Sequence, residues 1–506
     1  LVVCLSIERF QRLGLASYLF SIEPVQEPSF PEINIMNSSR FFAILALFLI
    51  AAPQVRPEGP YFANSIKIGE VRQHSAIVWT RLTKDPTYNV KGEAWEKDDE
   101  AVPEGKTLGE MAYSAVGSEG EVRVTYWPKG KAKAKRSTEW EPVDPKRNYT
   151  RAFQLEGLSS WKDYVLKVES RAIGSNRVSS SVDGALKTAP LARDAETVKF
   201  AVVTCHDFPR RDDLIKGHRI YPSILKTVDP HFIVTAGDIE YYDKPEPWAK
   251  TEELAYFKWD RLFGLPNMRE FYRQVPAYFM KDDHDTLRND SYPGQTYGEL
   301  TWDRGIEIFN EVFPMGDLPF RTIRWGNDLQ IWLMEGRDYR SANNAPNGPD
   351  KSIWGKTQKQ WFYRTFNASD ATFRILINPN PVVGPDRENK KDNHANKIFE
   401  HEGREIRQFM GKQKNAYMIN GDRHWQYVTV DDETGAREYS CGAGSDIHAG
   451  GFKQSLRTEE HQFLRIKGGF LSVEVSRIDG KPRIALRHHD VYGEVVNEDI
   501  FWGEKD

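Results

Sequence analysis

From about residue 198 the chain alternates short apolar runs with amphipathic ones, and no other feature restricts its fold as much. "VKFAVVTC" reads as a buried strand, "RIYPSILKTV" as a helix, "HFIVTAGD" as a second strand and "EELAYFKWDRLFG" as another helix. The pattern continues through "VPAYFMKDD", a helix around "RGIEIFNEVF", strands "FRTIRWG" and "LQIWLMEG", the helix "KTQKQWFYRTF", and strands "TFRILIN" and "NAYMIN". Strands that alternate with helices build a layered α/β domain. "YVTVDD", "GFLSVEV" and "PRIALRHHDVYG" read as its closing strands.

Residues 60–190 have a different rhythm: "IKIGEVRQHSAIVWTRL", "EVRVTYW", "TRAFQLEGL" and "DYVLKVESRA" alternate with Gly, Pro, Ser and Lys clusters. That spacing predicts a small antiparallel β-sandwich, and "LEGLSSWKDYVLKV" resembles the close of a fibronectin type III unit. Thr83 to Gly120 reads as a surface loop. Further upstream, "MNSSRFFAILALFLIAAPQV" places Arg40 before an apolar run from Phe41 to Ala52, with small residues ahead of Pro53. This is the pattern of a secretory signal over residues 36–52, and the run is shorter than the roughly 20 residues that span a bilayer. Met36 is therefore read as the start and residues 1–35 as over-extended translation. The mature chain is expected outside the cytoplasm, periplasmic or secreted, with no transmembrane segment.

Lys and Arg total 69 against 73 Asp and Glu, so no global basic field exists and no specific nucleic-acid partner is expected. Of three cysteines, only Cys205 and Cys441 follow the leader. A single long-range disulfide is one reading, and a Cys205 free for chemistry is the other.

Four strand ends carry metal-competent side chains. "VVTCHD" holds Cys205, His206 and Asp207; "VTAGDIEYYD" holds Asp238, Glu240, Tyr241, Tyr242 and Asp243. "YFMKDDHD" holds Asp282, Asp283, His284 and Asp285, and "YMINGDRH" holds Asp422 and His424. Each alone reads as a turn, a core thiol or solvated charge. Ligands of open α/β sheets bind beyond the carboxyl ends of strands, so together they point to one crevice. A thiolate, a tyrosinate, a carboxylate and an imidazole suit a trivalent ion such as Fe(III), and the remaining carboxylates suit Ca, Mn or Mg. Such a pair would clamp a phosphate ester and acidify a bound water, and a histidine outside the ligand set is the natural proton donor.

With these residues the chain resembles a PhoD-like alkaline phosphatase/phosphodiesterase of the calcineurin-like metallophosphoesterase superfamily, from about Ala63 to the C-terminus. The resemblance implies a four-layer αββα catalytic sandwich over residues 198–506, preceded by an all-β fibronectin type III-like domain over residues 60–190. It implies that Cys205 in "VTCH" binds iron, that Asp238 bridges and Tyr241 ligates in "GDIEY", and that Asp422 and His424 ligate in "GDRH". In "KDDHD", Asp283 becomes a ligand of the second metal and His284 the transition-state histidine. Fe(III) and Ca, as two or three ions, are the implied cofactors, with Mn, Zn or Mg as substitutes. Lys281 stands where the family has Trp, Asp285 where it has Glu, His206 where Gln is common, and Gly336 where it has Thr.

The substrates implied are small-molecule, lipid or polymer phosphate esters. Arg337, Arg340, Arg387 and Arg423 are arginines able to grip a phosphate, and Arg337 is taken as the contact; alternation along the strand would turn Arg423 away from its neighbours. Two other readings share the residues: a sulfatase or phospholipase D-like esterase, and an inert surface binding protein. Retention of all seven of Cys205, Asp238, Tyr241, Asp283, His284, Asp422 and His424 speaks against the inert one.

Overall fold

The computed structural model describes residues 59–503; the expected signal and the segment before it lie outside them. Two large sheets face each other. The nine-stranded one has a parallel centre, in which Val198–Val203, Phe232–Ala236 and Ala277–Met280 lie side by side. The seven-stranded one has its own, running Leu329–Leu333, Phe373–Asn378, Ala416–Asn420, Arg437–Cys441.

Side-chain alternation explains the layers. Phe200, Val202, Phe232 and Val234 point to a core shared with Ile331, Ile375, Ile377 and Ile419 of the facing sheet. Ala201, Val203 and Ile233 point the other way, under Tyr221, Trp259 and Phe263 of the helices Ile220–Thr227 and Glu252–Phe263. On the far side, Trp332, Leu376 and Met418 meet Phe362, Phe366, Ile406 and Met410 of the helices Gly355–Asn367 and Glu400–Gly411. Strands covered on both faces are mostly apolar, with Lys199, Gln330 and Arg374 half-buried near the strand starts.

The N-terminal region is all-β apart from short 3-10 turns, but it is not a free-standing sandwich. One sheet is its own, five strands built on Glu121–Pro128, Asp163–Arg171 and Ser180–Lys187. The other strands, Ile66–Gly69, Ala76–Arg81 and Thr150–Leu155, form the edge of the nine-stranded sheet, where Gly69 pairs in parallel with Ala277. The join is also polar: Lys67 donates to the Val312 carbonyl at 2.6 Å and sits 3.8 Å from the Trp79 ring centroid and 3.9 Å from that of Phe263. The segment 83–120 is more than a surface loop, since Met111 is fully buried and the Trp95 ring, tilted against that of Phe257, lies 5.0 Å from it. Cys205 and Cys441 are both buried free thiols.

Candidate metal centre

The ends of the parallel strands converge through an unusual backbone. Cys205, Asp238 and Asp422, each just past a strand, take left-handed φ values of 56°, 55° and 60°. For a non-glycine residue this conformation costs roughly 1–3 kcal/mol and persists where the surroundings enforce it. Part of the enforcement is visible: Cys205 N donates to the Gly237 carbonyl at 3.4 Å, His206 N to the Asp238 carbonyl at 2.8 Å, and Asp422 N to Thr204 Oγ1 at 3.3 Å.

Among the described residues, four donor groups each have ligand atoms within 4.8 Å of one another: Cys205, Asp238 and His424; Asp238, Asp283 and His284; Asp238, Asp282 and Asp422; and Asp283, Asp290 and Asp392. Tyr241 belongs with the first, its hydroxyl 3.3 Å from Asp238 Oδ2 and 3.3 Å from His424 Nε2, and Cys205 Sγ is 3.6 Å from the same Asp238 oxygen. Asp238 Oδ1 is buried with no hydrogen-bond partner. A buried carboxylate oxygen left bare among other anions is what a bound cation would satisfy, so the residues present fit a metal centre. Burial, reinforced by the Asp238 charge, pushes both the Cys205 thiol and the Tyr241 phenol well up. Burial and the nearby Asp282 and Asp283 charges, opposed by His284, raise Asp238 to about 7.

His284 is oriented from behind: Asp243 Oδ1 lies 2.5 Å from its Nδ1. Burial disfavours the imidazolium, but Asp243, Asp283 and Asp238 outweigh it and hold His284 up at about 10. Asn289 N donates to Asp243 Oδ2 at 2.8 Å, so Asn289 braces this loop through its backbone. Asp285 is a brace too, accepting the backbone N–H groups of Asp238, Ile239, Glu240 and Asp282. Lys281 ties the same strand end to the loop after Leu333 through Glu335 at 2.5 Å and Asp338 at 2.8 Å.

Arg337 departs from its expected place as a phosphate contact. Its side chain is 0% exposed. It bonds Asp282 through Nε and lies 3.4 Å from Asp283 and 3.3 Å from Asp392. Three carboxylates engage this guanidinium, which balances charge beneath the site. Arg423 does not turn away from its neighbour either; it is wholly buried and contacts the Asp422 carboxylate. Arg340 is committed to Asn343 and the Asp392 carbonyl. Arg387 keeps 32% of its side chain exposed, with Asp386 as an ion-pair partner at 3.4 Å.

Sequence reasoning named Asp243 among the metal-competent side chains without giving it a role, and passed over Asp392 and His448. Asp243 stood two residues past Tyr241 among the acidic side chains. Asp392 and His448 lie in loops with no strand-end pattern to mark them.

The model for the PhoD-like phosphatase family matches residues 200–467, just over half of the 506-residue chain. The chain belongs to that family. Its metal-dependent phosphoester chemistry follows from this membership together with the donor groups. A solved structure described as PhoD superposes with a TM-score of 0.66 at 14% identity, covering 88% of this chain and 89% of that one. The purple acid phosphatase PPD1 from yellow lupin (Lupinus luteus) seeds gives a TM-score of 0.58 at 12% identity, with coverage of 88% and 75%. At such identities the likeness is one of fold. No curated protein sequence matches the chain. Among the described residues no helix is long and apolar enough to cross a membrane.

Proposed function

We propose that this PhoD-like chain works outside the cytoplasm, hydrolysing phosphate mono- or diesters at a centre with Fe(III) held by Cys205, Tyr241 and His424 and Ca-type ions on the carboxylate side. The observation that carries this reading is that Asp238 belongs to three of the four donor groups. A carboxylate shared in this way is suited to bridging two ions, with Asp283 and Asp422 completing the second position. When bound, the ions supply charge for the phosphoryl oxygens and acidify a water.

The chain's own residues do the rest. His284, fixed at Nδ1 by Asp243, presents its other ring nitrogen as the proton donor to the leaving oxygen. Arg337, Lys281 and Asp285 hold the loops that carry the donors. Arg387 takes over the anion-contact role, since it keeps an exposed guanidinium. The buried carboxylates favour cations over a bare anion pocket.

One preparation tests the proposal: elemental analysis and the visible spectrum of the purified protein, with assays on aryl phosphate monoesters, aryl phosphate diesters and an aryl sulfate. The reading predicts a tyrosinate-to-Fe(III) band and hydrolysis of the phosphate esters. A fully metallated protein that cleaves none of them sinks it; cleavage of the sulfate alone moves it to a sulfatase; a colourless active enzyme removes Tyr241 from iron.

A further inference from the structure

The loop after the strand Arg437–Cys441 brings one more imidazole to the centre. Ala443 bridges to Thr204, and Gly444 N donates to the Cys205 carbonyl at 3.1 Å, so this loop is fastened to the strand end that carries Cys205. His448, fixed further by its N–H to Ser445 Oγ at 3.1 Å, is 2% exposed. Its ring centroid is 4.1 Å from that of His424 and 5.2 Å from that of Tyr241.

His448 Nδ1 lies 3.1 Å from the Cys205 carbonyl oxygen. A carbonyl only accepts, so Nδ1 carries the hydrogen. A second ring proton would put an unpaired charge in a buried place, which is costly. Nε2 therefore presents a lone pair, and it is buried with no partner in the protein. Leaving such an acceptor bare is costly, so the site in use supplies a donor. Among the described residues His448 joins none of the four donor groups, and the donor assigned to it here is a water.

Resting on the phosphoesterase reading above, we propose that His448 is a positioning residue whose Nε2 accepts a hydrogen bond from the attacking water. The bond turns one O–H of the water toward His448 Nε2 and leaves an oxygen lone pair for phosphorus. No proton passes to His448.

Two substitutions separate this role from its alternatives. In His448→Asn the side-chain amide keeps the bond to the Cys205 carbonyl and removes the acceptor at Nε2. In His448→Gln the amide oxygen restores an acceptor at that depth. Each is measured for metal content, thermal midpoint, and kcat and KM on an aryl phosphate ester. The expected result is wild-type metal content in both, kcat lowered about 10- to 100-fold in Asn with KM little changed, and most of the loss recovered in Gln. Near-wild-type Asn beside an impaired Gln would make His448 a strut for the Cys205 loop and overturn the proposal. Metal lost from Asn would make it a ligand, which also overturns it. A metal-loaded wild type inert on phosphate esters would overturn the phosphoesterase reading and this role together; activity in the wild type confines failure to His448.

Discussion

The carboxylate of Asp285 accepts the backbone N–H of Asp238 at 2.7 Å. It also accepts those of Ile239 at 2.8 Å, Glu240 at 3.0 Å and Asp282 at 2.9 Å, so one buried side chain holds two donor loops in register. This helps keep Asp238 in its left-handed conformation. Asp285→Ala leaves four N–H groups without an acceptor, and the expected loss is at least ~3 kcal/mol. Denaturant unfolding measures it, and metal content should fall in parallel; an unchanged midpoint would remove Asp285 as the brace.

Asp243→Asn tests the orientation of His284. The carboxamide keeps the size but loses the charge that faces Nδ1 at 2.5 Å. The expected outcome is kcat reduced by about 10²- to 10⁴-fold with metal content unchanged, read by steady-state kinetics beside elemental analysis.

The donor strands were legible because buried parallel strands are written as largely apolar runs, and "VKFAVV", "FIVTA", "AYFM" and "AYMIN" each end two residues before a potential ligand. The helix Glu400–Gly411 was not, since its apolar face is little more than Ile406, Phe409 and Met410 among charged residues. Arg337 was misjudged for a long-range reason: its partners Asp282, Asp283 and Asp392 come from segments far from it in sequence. The pairing of Gly69 with Ala277 was hidden in the same way, because a strand's own pattern does not name its neighbour.

Arg337 offers a direct contrast between the two readings of an arginine. A phosphate contact, once removed, raises KM. A buried guanidinium among three carboxylates, once removed as in Arg337→Met, leaves uncompensated charge and costs about 3–5 kcal/mol. The expected result is a lowered thermal midpoint and reduced metal content, with KM unchanged in the active fraction.

Glu402 ties the segment 352–354 to the helix Glu400–Gly411, accepting from Ile353 N at 2.6 Å and lying 3.0 Å from His394 Nε2. Burial alone would raise its pKa; the hydrogen bonds from His394, Ser352 and Ile353 reverse this and hold it down at about 2. The unfolded value is near ~4.3. The folded pKa is the lower one, so the stabilisation is present above the unfolded value and fades as pH falls toward 2. The gap in unfolding free energy between wild type and Glu402→Gln should be roughly 3 kcal/mol at neutral pH and narrow in acid. A gap constant with pH would contradict this role.

The central claim is that Asp238 holds the metals together while His284 acts on the substrate. Metal content and phosphate-ester hydrolysis, measured side by side on wild type, Asp238→Ala and His284→Ala, test it most directly. The account predicts that Asp238→Ala loses both metal and activity, whereas His284→Ala keeps its metal and loses activity. Full metal content in Asp238→Ala, or undiminished hydrolysis by His284→Ala, would contradict it.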